Sequence, residues 1–244
     1  MKLVIFGGTT EGRELSHLLA HKGIEVTVCI ATEYGREEQG EAAGITVLTG
    51  RKDQHEMESL LTSMDLCIDA THPYAVEATK NIRAACASVG IPCRRLLRQS
   101  GGEAEGIFVD SAAEAAELLA QRSGNVLLTT GAKELGQYAA LDPERLYPRV
   151  LPTHSSLDAC EAIQVPHRNI LAMQGPFSQA LNEAMLRQFH IKFLVTKDGG
   201  KAGGFMEKVR AAENTGAQLV IIRRPEEKGE TFEALVQSCE EMMR

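Results

Sequence analysis

The feature that most constrains the fold is an apolar run that leads at once into glycines. Residues 3–6 are followed by Gly7-Gly8-Thr9-Thr10-Glu11-Gly12-Arg13, and then by Leu15, Leu18 and Leu19, which share one helical face. The glycines permit a tight turn, and a helix N-terminus attracts anions. The segment predicts a strand, turn and helix that bind a phosphate group. The alternative is a strand–turn–helix connection that binds no ligand.

Strand-like and helix-like segments continue to alternate along the chain. Predicted strands lie at 3–6, 25–30, 45–48, 65–69 and 92–97, and, after a polar glycine-rich stretch at 100–106, at 107–109, 125–129, 145–150, 169–173, 191–196 and 218–222. Such alternation is typical of parallel sheets covered by helices. We predict an α/β fold of two Rossmann-like domains, 1–99 and 100–244, each a mostly parallel sheet flanked by helices. The last helix has the further option of packing on the first domain.

Charge and hydropathy limit the partners. The net charge of −7 disfavours non-specific binding to nucleic acid. The longest apolar runs are shorter than the roughly 20 residues of a membrane span. The six cysteines form no CxxC pair and the seven histidines show no ligand spacing. We expect a cytoplasmic protein without a metal site, which binds neither nucleic acid nor membrane and keeps its cysteines reduced.

The end of the second predicted strand bears on the choice of cofactor. Sites that prefer NADH usually carry an acidic residue there for the ribose hydroxyls, whereas this chain reads Cys29-Ile30-Ala31-Thr32. Arg36 and Arg51 lie in the loops that follow and offer cations to a 2′-phosphate. The pattern favours NADPH; the alternative is that both arginines are solvated surface charges.

Polar residues also follow the fourth strand, in Asp69-Ala70-Thr71-His72-Pro73-Tyr74-Ala75. Pro73 keeps His72 out of helical geometry, and an imidazole can donate a hydrogen bond or carry a proton near neutral pH. This loop is a candidate ligand site. The alternative is a helix-capping turn in which Thr71 is the cap.

Three loops of the second half point to an anionic ligand. Residues 129–135, 174–178 and 196–205 each follow a predicted strand, and the last of them has four glycines and two lysines. Arg149 adds a cation. The chain lacks a GxSxG elbow, a Walker motif and an HExxH motif. Because a nicotinamide cofactor supplies the chemistry of hydride transfer, these absences favour a reductase over a hydrolase.

Five motifs together resemble the precorrin-6A reductase family of cobalamin biosynthesis, which includes the enzymes that act on cobalt-precorrin-6A. They are GGTTEGREL at 7–15, DATHPYA at 69–75, TTGAKEL at 129–135, QGPFS at 174–178 and TKDGGKAGGFMEK at 196–208. One departure is Gly199, where the family pattern has serine. The resemblance implies NADPH-dependent reduction of a macrocycle double bond, giving precorrin-6B or its cobalt form. It also implies a dinucleotide-binding first domain, a substrate-binding second domain and a ligand cleft between them.

The resemblance, together with the residues at the end of the second strand, gives the expected site residues. The residues expected to bind the cofactor are Gly8, Thr9, Thr10, Glu11, Gly12, Thr32, Arg36, Arg51, Thr71 and His72. Those expected to bind the tetrapyrrole polycarboxylate are Lys133, Arg149, Ser178, Lys197, Asp198, Gly200 and Lys201. His72 and Tyr74 are candidates for donating or positioning the proton, with bound water as another donor. Other enzymes of the cobalamin pathway are candidate partners, and the sequence leaves the oligomeric state open.

Two other readings remain. Another NAD(P)-dependent oxidoreductase or epimerase on the same scaffold would usually carry a Tyr-x-x-x-Lys pair. None of the four tyrosines of this chain has lysine four residues later. A non-catalytic NADPH-sensing module would bind the dinucleotide but would not need a second, cationic site.

Overall fold

The computed structural model describes residues 1–98, 102, 104–200 and 203–243. The chain divides into two compact units, one made of Met1–Arg98 with Pro225–Arg244 and the other of Gln99–Arg224. The predicted α/β class, with two parallel sheets flanked by helices, is confirmed.

The first unit contains a five-stranded parallel sheet in the order β3-β2-β1-β4-β5, which is the order of a Rossmann fold. Its elements are β1 Lys2–Phe6, α1 Thr10–His21, β2 Glu25–Ile30, α2 Glu33–Gln39, β3 Ile45–Thr49, α3 Gln54–Leu61, β4 Leu66–Asp69, α4 Val76–Val89, β5 Cys93–Arg95 and α9 Phe232–Met242. The central strands are short apolar runs that are buried on both faces, as a covered parallel sheet requires.

Helices cover this sheet on both sides. One core contains Leu15 and Leu19 of α1 together with Leu235 and Cys239 of α9. A separate core is formed by α3 and α4 against the same strands. Since two residues of α9 are fully buried beside α1, the last helix belongs to the first unit.

This position of α9 is the option that the sequence left open for the last helix. The second domain was predicted as 100–244, whereas the second unit ends at Arg224. The connection into α9 runs along β5: Glu230 N–H donates to the Arg95 carbonyl and Leu97 N–H donates to the Glu230 carbonyl, both at 2.8 Å. The C-terminal segment thus pairs with the first sheet through its backbone.

The second unit contains a six-stranded parallel sheet in the order β6-β11-β10-β7-β8-β9. Its elements are β6 Ile107–Val109, α5 Ala112–Ala120, β7 Asn125–Leu128, β8 Leu146–Val150, α6 His154–Ala162, β9 Leu171–Ala172, α7 Gln179–Gln188, β10 Ile191–Lys197, α8 Phe205–Thr215 and β11 Gln218–Ile222. A 3-10 helix, Ala132–Tyr138, follows β7. The helices α7 and α8 pack on each other and share a core with β10 and β11.

The local sequence explains where many of the helices begin. Thr9, Thr32, Ser111, Thr153, Ser178 and Thr231 each accept a backbone N–H at a helix N-terminus. Asp53 and Glu56 form a reciprocal capping box at α3. Among the described residues, no helix has both the length and the apolar character needed to cross a membrane.

Candidate functional site

The glycine turn between β1 and α1 is held at both of its ends. Gly7 N–H donates to the Cys29 carbonyl at 2.9 Å. Thr9 Oγ1 accepts from Gly12 N–H at 3.1 Å and donates to the Ala70 carbonyl at 2.9 Å. One hydroxyl therefore caps α1 and also ties the turn to the end of β4.

Two glycines of this turn meet different requirements. A Cβ at Gly12 would lie 2.8 Å from the Cβ of Ala70, so glycine there lets α1 approach β4 closely. A Cβ at Gly8 would meet nothing within 4 Å, and Gly8 has a φ of +116°. The backbone at Gly8 thus borders open space beside the first N–H groups of α1, which have no partner inside the helix. Such an arrangement suits an anion.

A pocket of about 270 Å³ lies beside this turn, within the first unit. It is lined by Gly7, Gly8, Thr9, Thr10, Arg13, Ile30, Ala31, Thr32, Tyr34, Gly35, Glu38 and Gln39. The turn after β1 and the end of β2 both contribute to it. Because ligands of open α/β sheets bind beyond the carboxyl ends of the strands, this pocket is the candidate dinucleotide site.

The structure brings some of the predicted cofactor residues to this pocket and places others elsewhere. Gly8, Thr9, Thr10 and Thr32 line it. The Glu11 carboxylate instead accepts from Arg98 Nε at 2.9 Å, and Gly12 packs against the end of β4, so neither is among the residues that line the pocket.

The two arginines predicted for the 2′-phosphate also lie outside this pocket. The predicted loop after β2 folds into α2, and Arg36 lines a different hollow together with Glu33, Glu37 and Glu41. Arg51 is exposed after β3.

Arg13 is the cation that does line the pocket, and the sequence reasoning did not select it. Its Nη1 donates to the Glu38 carbonyl at 2.9 Å and lies 3.8 Å from Glu38 Oε2. The available signal was the position of Arg13 inside the GGTTEGR motif itself. Tyr34, at the start of α2, was likewise missed.

The loop after β4 is organised by a buried carboxylate. Asp69 Oδ1 accepts from Thr71 N–H at 3.0 Å and from Thr71 Oγ1 at 2.7 Å. The N-cap of α4 is Ala75, which makes no side-chain capping bond. The alternative in which Thr71 caps this helix is therefore wrong, because its hydroxyl is bonded to Asp69.

His72 and Tyr74 lie together in the same loop. Their rings stack with centroids 5.5 Å apart and planes 30° from parallel. Tyr74 N–H donates to His72 Nδ1 at 3.4 Å, and Ala75 N–H donates to the His72 carbonyl at 2.8 Å. When the imidazole is neutral and Nδ1 accepts, its own proton is on Nε2.

Arg95, at the end of β5, connects this loop to the C-terminal segment. Its Nη1 donates to Asp69 Oδ1 at 2.7 Å and to Thr71 Oγ1 at 3.1 Å. Its Nη2 and Nε donate to Glu227 Oε1 at 2.6 and 2.9 Å. The Arg95 and Asp69 side chains are only 4% and 1% exposed. This network fixes Thr71 and was not predicted.

In the second unit, the strand order reverses between β10 and β7, and ligands favour such switch points. Lys197 ends β10, and its Nζ lies 2.8 Å from Oε2 of Glu134 in the 3-10 helix after β7. Thr129 bridges the same two strands, because its Oγ1 donates to the Val195 carbonyl at 2.7 Å. The predicted Lys197 therefore lies at the switch point, paired with an acidic residue that was not predicted.

Among the charged substrate candidates that the structure describes, Arg149 is the most buried. It is 7% exposed, its Nη1 donates to Asn182 Oδ1 at 2.7 Å, and its guanidinium carbon lies 4.0 Å from the centroid of the Phe177 ring. Burial lowers the pKa of Arg149 to about 10, so the side chain stays cationic at neutral pH. The motif at 174–178 thus supplies the ring that positions this cation.

The other predicted substrate residues that the structure describes fall at the same edge of the second sheet. Lys133 is exposed and has no ion-pair partner among the described residues. Ser178 caps α7 by accepting from Leu181 N–H at 3.3 Å. Asp198 Oδ1 accepts from Gly200 N–H at 3.1 Å. Lys201 lies outside the described residues.

These positions follow four neighbouring strands. Lys197, Lys133, Arg149 and Ser178 belong to, or follow, β10, β7, β8 and β9, which are adjacent in the sheet in that order. A row of cationic and hydroxyl groups along one edge suits a ligand with several carboxylates.

The first sheet with its glycine turn, and the second with its cationic edge, define a two-unit α/β protein of the Rossmann-like class. The model of the family described as precorrin-6x reductase CbiJ/CobK matches residues 2–242. The chain therefore belongs to the precorrin-6x reductase family and is an oxidoreductase of cobalamin biosynthesis, which confirms the predicted resemblance.

Curated relatives agree with this assignment. The chain is 35% identical over 233 residues to the cobalt-precorrin-6A reductase of Methanothermobacter thermautotrophicus, covering 93% of this chain and 77% of that protein. It is 32% identical to the cobalt-precorrin-6A reductase of Priestia megaterium, covering 96% of each. A solved structure of the precorrin-6A reductase CobK has a TM-score of 0.78 at 24% identity, covering 99% of this chain and 97% of that one, which shows the shared fold.

Proposed function

We propose that this protein uses NADPH to reduce one double bond of precorrin-6A or cobalt-precorrin-6A, giving precorrin-6B or its cobalt form. The observation that carries the proposal is the glycine-turn pocket, found in a chain whose family match spans residues 2–242. The relatives at 35% and 32% identity are both named cobalt-precorrin-6A reductases.

The first unit fits a dinucleotide. The open space at Gly8 lets a diphosphate approach the backbone, while Thr9 and Thr10 add hydroxyl groups and the helix dipole favours the negative charge. The end of β2 presents Ala31 and Thr32 rather than the acidic residue that binds a free ribose diol. When bound, the reduced nicotinamide supplies the hydride.

Arg13 is the residue we propose for the 2′-phosphate that distinguishes NADPH from NADH. It lines the pocket at the turn, and its partner Glu38 holds the guanidinium in place at that wall. A hydrogen bond from a guanidinium group to a phosphate oxygen is stronger than one between two neutral groups. Arg36 and Arg51, first considered for this role, do not line the pocket.

In the second unit, we propose that cations along the sheet edge bind the carboxylates of the macrocycle. The structure shows one hydrogen bond from Arg149, through Nη1, and its guanidinium is stacked on Phe177. The N–H groups of Arg149 that are not used in this bond suit a carboxylate. Lys133 and Lys197 would add point charges, with Lys197 exchanging Glu134 for substrate.

Reduction of the double bond also needs a proton. The loop after β4 presents His72 beside Tyr74, and the acceptor role of His72 Nδ1 leaves Nε2–H as the donor of the neutral ring. Asp69 and Arg95 keep the preceding Thr71 fixed, and so hold the start of this loop in place. We propose His72 as the proton donor and Tyr74 as the residue that orients it.

The direct test is turnover. Purified protein is mixed with NADPH and either precorrin-6A or cobalt-precorrin-6A, and loss of the reduced-nicotinamide absorbance is followed together with the mass of the corrinoid product. We expect a gain of two hydrogens in one of the two substrates. Folded protein that oxidises no NADPH with either substrate would refute the proposal.

The cofactor assignment has its own test. Arg13→Ala should raise the KM for NADPH roughly 10- to 150-fold, since a hydrogen bond to a charged group is worth about 1.5–3 kcal/mol, while leaving the KM for NADH within about twofold. Arg36→Ala, a matched exposed arginine on the next helix, should change neither. If Arg36→Ala shows the larger effect on NADPH, the assignment of Arg13 is wrong.

A further inference from the structure

Three cysteines from three different elements converge inside the first unit. Cys67 is on β4, Cys86 is near the end of α4 and Cys93 begins β5. Their Sγ atoms all lie within 4.8 Å of one another. No two of them are closer than seven positions in the sequence, so the absence of a CxxC pair gave no sign of this cluster, which we call the thiol triad.

The backbone around the thiol triad is held by hydrogen bonds. Cys67 and Cys93 are direct partners in the parallel pairing of β4 with β5. The Cys86 carbonyl accepts from Gly90 and Ile91 N–H at 2.9 and 3.1 Å, which closes the end of α4 and starts the turn into β5. Three thiols are thus presented by a sheet and a helix rather than by a loop.

We propose that the thiol triad binds one thiophilic metal ion of the Cu(I) class through three thiolates. Metal–thiolate bonds of about 2.3 Å place the sulfurs of a trigonal site about 4 Å apart, which the triad meets with little movement. Among the described residues the group contains sulfur ligands alone. Soft thiolates select Cu(I), whereas closed structural zinc sites usually have four ligands.

The surroundings favour such an ion over a harder one. The triad borders an apolar core that includes Leu61 and Ile82 and excludes water from two of the sulfurs. Cys67 and Cys86 are buried, while Cys93 is half-buried and gives a route for entry. On binding, each S–H bond breaks and a sulfur–copper bond forms; the protons leave to solvent, and neither sulfur nor copper changes oxidation state.

Binding of the ion would cross-link elements of the first unit near the His72 loop. Cys67 and Cys93 precede Asp69 and Arg95 by two residues on their strands, and residues two apart lie on the same face of a sheet. An ion in the triad would therefore cross-link β4, β5 and α4 directly below the pair that holds Thr71. The loop with His72 joins β4 to α4, so this cross-link would stiffen its anchors.

The test uses the reduced, full-length protein without oxygen, titrated against Cu(I) held by a coloured bathocuproine chelator. We expect the wild type to take one Cu(I) per chain from the chelator and to show a rise in Tm. Cys93→Ser and Cys86→Ser should each weaken uptake at least tenfold. Cys239→Ser, which removes a buried thiol of α9 in the same unit, should leave uptake unchanged.

Two results would overturn the proposal: no uptake of Cu(I) by the wild type, or equal losses of uptake in Cys93→Ser and Cys239→Ser. Far-ultraviolet circular dichroism establishes that each variant is folded, and the wild-type stoichiometry does not depend on any variant. Because no corrinoid or NADPH is present, the outcome is independent of the proposed reductase function.

Discussion

Replacing Arg95 by methionine should destabilise the first unit far more than replacing its neighbour Arg94. Arg95 donates to Asp69, Thr71 and Glu227, and its side chain is 4% exposed. Arg94 donates to Glu230 at 3.0 Å, but its side chain is 30% exposed. The two arginines are adjacent on β5 and point to opposite faces of the sheet. Arg94 also donates to Ser238 Oγ, and its acidic partner Glu230 is 36% exposed, whereas Asp69, the partner of Arg95, is buried.

The structure sets the size of the effect. Arg95→Met leaves the Asp69 carboxylate, 1% exposed, without its cation, and breaking a buried pair by removing one partner costs about 3–5 kcal/mol. Glu227, 13% exposed, loses the same partner. An exposed pair contributes about 0–1 kcal/mol, which is the expected cost of Arg94→Met. Asp69→Asn combined with Arg95→Met should recover part of the loss, because the stranded charge is gone.

Amide hydrogen exchange followed by mass spectrometry measures this within the first unit alone. If exchange in the β1 and β4 peptides follows unfolding of that unit, Arg95→Met should accelerate it more than about a hundredfold, and Arg94→Met less than about fivefold. Peptides of β7 and β10 serve as the internal control. Equal rates for the two variants would show that the buried network contributes no more than a surface pair, and the reasoning from burial would fail.

Two further predictions test packing and thiol chemistry. Gly12→Ala should lower the free energy of unfolding in urea by about 1–3 kcal/mol, because the new Cβ would lie 2.8 Å from that of Ala70. Gly136→Ala, whose Cβ would meet nothing within 4 Å, should lower it by less than about 1 kcal/mol. Equal losses in the two variants would contradict the close approach of α1 to β4. With N-ethylmaleimide at pH 7, Cys93 should react before Cys29. Hydrogen bonds from Cys67 and Cys86 lower the pKa of Cys93 and favour its reactive thiolate, whereas burial raises the pKa of Cys29 to about 12 and keeps that thiol protonated. Peptide mapping that finds Cys29 labelled first would refute this.

The sheets were predictable because each strand is a short apolar run bounded by turn residues. The helices α2 and α3 were not predicted. In α2, Gln39 is the single buried residue, so no apolar periodicity marks the helix. For α3, the signal existed in the spacing of Asp53 and Glu56, which form the capping box. The attachment of α9 to the first unit depends on Leu235 and Cys239 meeting distant residues, which local patterns do not specify.

The candidate site was predictable where its residues are contiguous with a strand end. Thr9 and Thr10, in the turn after β1, were predicted to bind the cofactor, and both line the pocket. The contact between Arg95 and Glu227 spans 132 positions, so nothing in either local sequence indicates the partner. Arg36 was predicted in a loop after β2, but the segment forms helix α2 and Arg36 lines a different hollow; Arg13, which does line the pocket, was not considered.

Both units place their polar groups where the strand order reverses, and this has a common physical origin. In the first unit, Thr9 Oγ1 bridges from the turn after β1 to the end of β4; in the second, Thr129 Oγ1 bridges from the end of β7 to β10. At these positions the connections leave in opposite directions, so the strand ends stay uncovered. A threonine hydroxyl that donates to a carbonyl of the neighbouring strand or its loop stabilises the edge without filling it. The hydrogen bonds of Thr9 and Thr129 therefore hold the strand ends together and still leave room for a ligand. Replacing either threonine with valine should lower both the stability of that sheet edge and the affinity of the site beside it.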